Sequence, residues 1–275
     1  GWIVTDEARD VLSAAVVGIH ADGQVIGFIS LDNVETVSFT LAQAHQLQAF
    51  ADHAGSAIRT ARLYESSQAE RRETDRLLRA ILPDQIAKEL RTSGRVRARR
   101  HEDVAVLFAD IVGFTEYCDT HDPEDVLEAL TKNTQRFEEI SERHGLEKIK
   151  TIGDSFMAAT GLLSPMLNPD LQCVKAGLDM IDACRETTPM WSVRLGIHSG
   201  DLIAGLLGSR KFLFDVWGDT VNTASRVESN GVPNAVSVSR TSWNRISHAC
   251  RGQSRGMVAV KGKGEMEMFL VEGLK

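Results

Sequence analysis

The sequence is poor in the features that define several protein classes. Only 4 of its 275 residues are cysteine, placed at Cys118, Cys173, Cys184 and Cys250 without CxxC or Cys/His ligand spacing. Neither a disulfide framework nor a zinc site is expected, and the thiols read as those of a cytoplasmic protein. No apolar run approaches the ~20 residues of a membrane-spanning helix, so no span is expected. Basic charge is not in excess: 31 Lys and Arg stand against 38 Asp and Glu, a net charge of −7. That balance argues against nucleic acid as a partner. The one basic run, RTSGRVRARR at 91–100, reads as a solvated connector.

What the chain does have is organised around VAVLFADIVGFT at 104–115. An uncharged run of six residues predicts a strand buried on both faces. Asp110 ends it, and an ionised carboxylate there is costly unless a cation or several donors meet it. Gly113 follows in a turn whose successive N–H groups can converge as an anion nest. A carboxylate beside a nest suits a metal and the phosphates it bridges, although a strand ending on a polar turn fits the same stretch.

Upstream, runs at 14–19 and 25–31 flank an Asp22-Gly23 hairpin step. Leu41, Ala44, Leu47, Ala51, Ala54, Ile58 and Ala61 then recur at helical spacing. The order strand, Asp-Gly turn, VIGFISLDN, loop, and a helix ending in TARLYE resembles the last third of a GAF sensor domain. Residues 1–60 are therefore expected to be a partial GAF-like segment. The charged stretch ESSQAERRETDRLLR and the residues to 100 read as a helical linker over 61–100, a coiled coil with a weak seam or a solvated spacer. Pro83 ends the helix. From 101 to 275, strands and helices alternate in the order strand–helix–strand–strand–helix–strand. This predicts an α+β fold with a ferredoxin-like βαββαβ core, extra strands, and helices on one sheet face.

Several residues in this block carry chemistry. Asp110 and Asp154 both end strands and can meet at one sheet edge, as Mg²⁺ with substrate phosphates requires; Gly153-Asp154 equally fits a plain two-residue hairpin turn. In FDVWGDTVNTASRVES (214–229), Asn222 and Arg226 stand four apart on one helix face, suited to a sugar and a phosphoryl group or to an ion pair with an acid such as Glu228. Arg194, which interrupts a strand, and Lys261, where a strand opens into a Gly-Lys-Gly turn, fit edge-strand charges that guard against aggregation. Lys150 projects a cation from the mostly apolar strand LEKIKTI.

Taken together and in order, FADIVGFT, EKIKTIGDSFM, VRLGIHSG, FDVWGDTVNTASR and VKGKGE resemble the class III nucleotidyl cyclase catalytic domain, over roughly 101–274. ILPDQIAKELRTSG resembles the segment leading into it. The resemblance implies that Asp110, Asp154 and the carbonyl of Ile111 bind two Mg²⁺ or Mn²⁺ ions per site. Backbone groups of Val112, Gly113, Phe114 and Thr115 would hold phosphates, with Arg194 and Lys261 on the terminal ones. Asn222 would position the ribose, and Arg226 would stabilise the transition state. Lys150 and Asp215 occupy the base-reading positions as in adenylate cyclases, so ATP is the expected substrate. A guanylate cyclase, a cyclase of relaxed base choice and a non-catalytic nucleotide-binding module remain alternatives. The site would be shared across a homodimer, with Lys150, Asp215, Asn222, Arg226 and Lys261 serving the partner's aspartates, and the linker helix is expected to transmit a sensor signal.

Overall fold

The computed structural model describes residues 12–36, 39–208 and 211–275, and the chain divides into two compact units, Gly1–Ala80 and Ile81–Lys275. Residues 1–11 of the expected sensor segment lie outside the described residues.

In the first unit, β1 (Ser13–Ala21) and β2 (Gln24–Asn33) pair antiparallel, with Ala21 opposite Gln24. Asp22 (φ 50°) and Gly23 (φ 77°) are both left-handed, the geometry that twists a two-residue turn to match its strands. Helix α1 (Leu41–Arg79) opens with a capping box between Thr40 and Gln43. Leu47, Ala51 and Gly55 are buried, and Gly55 lies so close to β1 that a Cβ would fall 2.1 Å from the His20 carbonyl oxygen. Of the periodic positions, those from Ala44 to Ile58 are buried or half-buried, whereas Leu41 and Ala61 at the two ends are exposed; the helix continues to Arg79 with Leu63, Tyr64 and Leu77 exposed.

The second unit begins with α2 (Asp84–Ser93), closed by left-handed Gly94, with Leu82, Ile86 and Ala87 buried. Then follow β3 (Arg99–Val112), α3 (Phe114–Thr120), α4 (Pro123–Arg143), β4 (Glu147–Ile152), β5 (Ser155–Thr160), α5 (Pro169–Glu186) and β6 (Ser192–Leu207). The chain ends with β7 (Leu213–Trp217), α6 (Asp219–Ser229), β8 (Ala235–Ser239), α7 (Arg240–Ile246), β9 (Cys250–Val260) and β10 (Gly264–Leu274). The strand order is β4-β5-β3-β6-β8-β10-β9, with β7 on β6. The β4-β5-β3-β6 part, all antiparallel, is the ferredoxin-like arrangement expected, lengthened by further strands on one side. The VRLGIHSG motif and the apolar residues that follow it lie on the single long strand β6. Asp122 stands before Pro123, the first residue of α4, and its side chain makes no capping bond.

Strand β3 is buried on both faces. Ala105, Leu107, Ala109 and Ile111 join Phe137 of α4, Val174 and Met180 of α5, and Leu195 and Ile197 of β6 in the main core. Val104, Val106 and Phe108, on the alternate face, are buried too. Helix α6 supplies part of that second cover, which corrects the expectation of helices on one face alone. The reason is glycine. Gly196 and Gly200 carry no side chain on the face opposite Leu195 and Ile197, and α6 sinks onto them: a Cβ on Gly196 would lie 2.1 Å from the Glu228 nitrogen, and one on Gly200 2.8 Å from the Thr220 hydroxyl.

Candidate active site

The site divides into two groups of residues. In the first, Asp110 at the end of β3 sits directly opposite Arg194 on β6. The Arg194 guanidinium donates through Nη2 to Asp110 Oδ2 at 2.9 Å, and its Nε stands 3.4 Å from Glu228 Oε1. The hydrogen bond to Asp110 holds the guanidinium firmly charged. Asp154 is the second residue of the Gly153-Asp154 turn, where Ile152 pairs with Ser155 and Gly153 has φ 63°. Burial and then the Asp110 charge push its carboxyl up, while backbone N–H bonds, including that of Ile111, pull it down. A carboxylate close enough for its charge to push the Asp154 carboxyl up makes, with Asp154, a donor pair that a divalent cation would relieve. Among the described residues no cluster of three or more His, Cys, Asp or Glu exists; Mg²⁺ needs none when waters, a backbone carbonyl and substrate phosphates complete its shell.

Val112 and Gly113 lead from β3 into α3, whose first residues are Phe114 and Thr115. Gly113 is left-handed at φ 80°, and a Cβ there would meet nothing within 4 Å, so glycine serves the backbone turn rather than a close contact. An aromatic cluster fixes this turn. Trp191, just before β6, contacts Phe114 (6.0 Å between ring centroids) and meets Tyr117 edge-on at 4.7 Å. Sequence reasoning passed over Trp191, since a lone buried aromatic carries no signal of its neighbours.

In the second group, Lys150 of β4 donates to Asp215 Oδ2 of β7 at 2.6 Å. Asp215 is 5% exposed, and its other oxygen accepts from the Val216 N–H at 2.9 Å. In a flat sheet four strand spacings would separate β4 from β7 by about 19 Å. Their contact therefore requires β6 and β7 to curl back over the sheet. A register slip between β3 and β6 at 101–104, with Asp103 at φ 61°, supplies the extra bend a bulge provides.

Asn222 and Arg226 lie on α6, Asn222 exposed and Arg226 half-buried. The helix is fixed at its start by Thr220 Oγ1 donating to the Asp201 carbonyl at 2.6 Å, and further along by the glycine approach. Lys261 is exposed in the turn between β9 and β10. Its neighbour Lys263 pairs with Asp219, tying that turn to the first residue of α6. Glu228 completes the picture. It does not pair with Arg226; it faces Arg194 and is 5% exposed. Burial first, then the Asp110 charge, pushes its carboxyl up to about 7. Only the two-residue offset from Arg226, which turns a side chain to the opposite face of a helix, hinted at this.

A carboxylate pair beside a left-handed glycine turn, a cation–carboxylate pair with its carboxylate buried, and an amide–guanidinium face suit a nucleoside triphosphate. Residues 96–273 match the family model described as the adenylate and guanylate cyclase catalytic domain. An adenylate cyclase of Mycobacterium tuberculosis is 37% identical over 221 residues, 78% of this chain and 50% of that protein. The human guanylate cyclase soluble subunit beta-2 is 34% identical over 212 residues, 74% of this chain and 34% of that protein. Among solved structures, the guanylate cyclase domain of RhGC from Catenaria anguillulae in complex with GTP superposes with a TM-score of 0.63 at 31% identity, covering 64% of this chain and 100% of that one. The chain thus spans half or less of the length of these curated relatives. Because the family match covers well over half of the sequence, the chain belongs to the class III nucleotidyl cyclases.

Proposed function

We propose that the chain is an adenylate cyclase, converting ATP to 3′,5′-cyclic AMP and pyrophosphate. The observation that carries the choice of base is the Lys150–Asp215 pair. Adenine offers an acceptor at N1 and a donor at its 6-amino group. A lysine ammonium donates to the first and a carboxylate accepts from the second. Guanine presents the reverse pattern, a ring N–H and a carbonyl, and would set donor against donor. In the free protein the two side chains satisfy each other; the base would exchange one ion pair for two directed hydrogen bonds.

The site is completed, in this reading, by two copies of the chain. One protomer contributes Asp110, Asp154, Arg194 and the Val112–Thr115 turn, and its partner contributes the remaining residues. Asn222 orients the ribose so that the 3′-oxygen stands in line with the α-phosphorus. The new P–O bond forms as the bond to the bridging oxygen of the β-phosphate breaks, and the hydroxyl proton leaves to solvent. Arg226 meets the charge that develops on the α-phosphoryl oxygens, and Lys261 and Arg194 hold the departing pyrophosphate. Two bound divalent ions, Mg²⁺ or Mn²⁺, held by Asp110, Asp154 and the Ile111 carbonyl, would supply the charge that acidifies the 3′-hydroxyl and neutralises the leaving group.

The test is turnover of ATP and, separately, GTP with each cation, using Asp110→Ala as the blank. Cyclic AMP from ATP, lost in the variant, is expected. Cyclic GMP as the main product would overturn the base assignment while keeping the cyclase.

A further inference from the structure

Arg194 has two acidic neighbours, and only one of them belongs to the proposed cation pair. Its Nη2 donates to Asp110 at 2.9 Å, whereas Nε faces Glu228 Oε1 at 3.4 Å, with neither of those last two atoms in a hydrogen bond. The Glu228 side chain is 7% exposed, and its other oxygen accepts from the Ser229 hydroxyl at 3.1 Å. Its backbone cannot retreat, because it rests against Gly196, two residues from Arg194 on the same strand face. A buried, anchored carboxylate thus stands beside the guanidinium that occupies Asp110. While Arg194 is bonded to Asp110, it neutralises the carboxylate a divalent ion would need. A second acid at fixed distance gives the half-buried guanidinium somewhere to go, and gives the buried Glu228 carboxylate a cation.

We propose that Glu228 is a positioning residue: it shares Arg194 with Asp110 and so sets how readily the Asp110–Asp154 pair takes up a divalent cation. The proposal rests on reading Asp110 and Asp154 as the cation ligands. Filling the site transfers Arg194 from Asp110 toward Glu228, and the same movement frees the guanidinium for the nucleotide phosphates.

The experiment measures Mn²⁺ binding to the nucleotide-free protein by the electron paramagnetic resonance signal of the unbound ion. The wild type is compared with Glu228→Gln, Glu228→Asp, Arg194→Gln and the Glu228→Gln/Arg194→Gln double variant. Thermal unfolding confirms that each remains folded. Glu228→Gln leaves Arg194 with Asp110 alone, and Mn²⁺ affinity falls roughly tenfold, about the worth of one charge-assisted hydrogen bond. Glu228→Asp, which keeps the charge, recovers part of the loss. In the Arg194→Gln background the Glu228→Gln change has no further effect, because Glu228 acts through Arg194. Unchanged affinity in Glu228→Gln overturns the proposal, and so does a loss of equal size in both backgrounds, which would be a direct charge effect. Asp110→Asn serves as the control. If it too binds Mn²⁺ like wild type, the cation reading itself fails and the proposal falls with it; if it loses binding, only the role of Glu228 is in question. Should Glu228→Gln unfold, Glu228→Asp alone decides: unchanged affinity there overturns the proposal, and a several-fold loss absent from the Arg194→Gln background supports it.

Discussion

At the scale of the residue, the proposed function rests on side chains whose partners are already in place. Lys150 and Asp215 meet at 2.6 Å in a recess that leaves Asp215 5% exposed. Replacing Lys150 by Ala leaves that carboxylate buried without its cation, so the ratio of ATP to GTP in kcat/KM is expected to drop roughly 10- to 100-fold. Parallel steady-state assays with the two nucleotides read this directly, and an unchanged ratio would separate the pair from base choice. Arg226, half-buried on α6, is assigned to charge that exists only in the transition state. Arg226→Ala is therefore expected to lower kcat by roughly 10²- to 10³-fold with little change in KM; a rise in KM alone would make it a ground-state contact. Asp110, Asp154, Lys150, Asp215, Asn222 and Arg226 were singled out as candidates from the sequence, because their motifs stand in a recognisable order. Glu228 was named there only as a partner for Arg226. Which face of a helix meets which strand depends on tertiary approach, and spacing along one helix does not report it.

At the scale of the element, glycines in β6 decide where α6 lies. Gly196→Ala would place a methyl 2.1 Å from the Glu228 nitrogen. Such overpacking against backbone is expected to cost about 1–3 kcal/mol. Calorimetry should then show a drop of several degrees in Tm together with loss of turnover, since Asn222, Arg226 and Glu228 move as one helix. His198, between those glycines, bonds through Nδ1 to the Ser239 hydroxyl at 2.7 Å. Burial, with Lys263 and Arg245 adding to it and Asp219 opposing, lowers its pKa from 6.5 to about 4. Below about pH 6.5 the unfolded chain takes up a proton that the folded chain refuses, so this group's contribution is intact above 6.5 and is lost as pH falls toward 4. Thermal unfolding of His198→Asn should accordingly lose less stability than wild type between pH 7 and 4.5; equal losses would remove His198 from the account. The strands and helices themselves were largely readable. The Asp-Gly and Gly-Asp turns, Pro83 and the apolar periodicities each mark a local event, and local events are what sequence encodes most directly. The curl that carries β7 to β4 was not readable, because it depends on a bulge at 101–104 and on pairing between strands distant in sequence.

At the scale of the whole molecule, the chain comprises an N-terminal hairpin with a long helix and a cyclase unit that follows from Ile81. Helix α1 runs unbroken for 39 residues, and among the described residues no helix is long and apolar enough to cross a membrane. The cyclase unit carries both groups of site residues on one polypeptide, and the account assigns them to different active sites of a two-fold dimer. That assignment is the central claim, and it is tested by mixing two variants that are each inactive alone, Asp110→Ala and Arg226→Ala, and measuring cyclic AMP from ATP. Random exchange makes half of the dimers mixed, and each mixed dimer has one complete site, so the account predicts recovery of about a quarter of wild-type activity. Activity no greater than the sum of the two variants, at concentrations where dimers form and exchange, would contradict it.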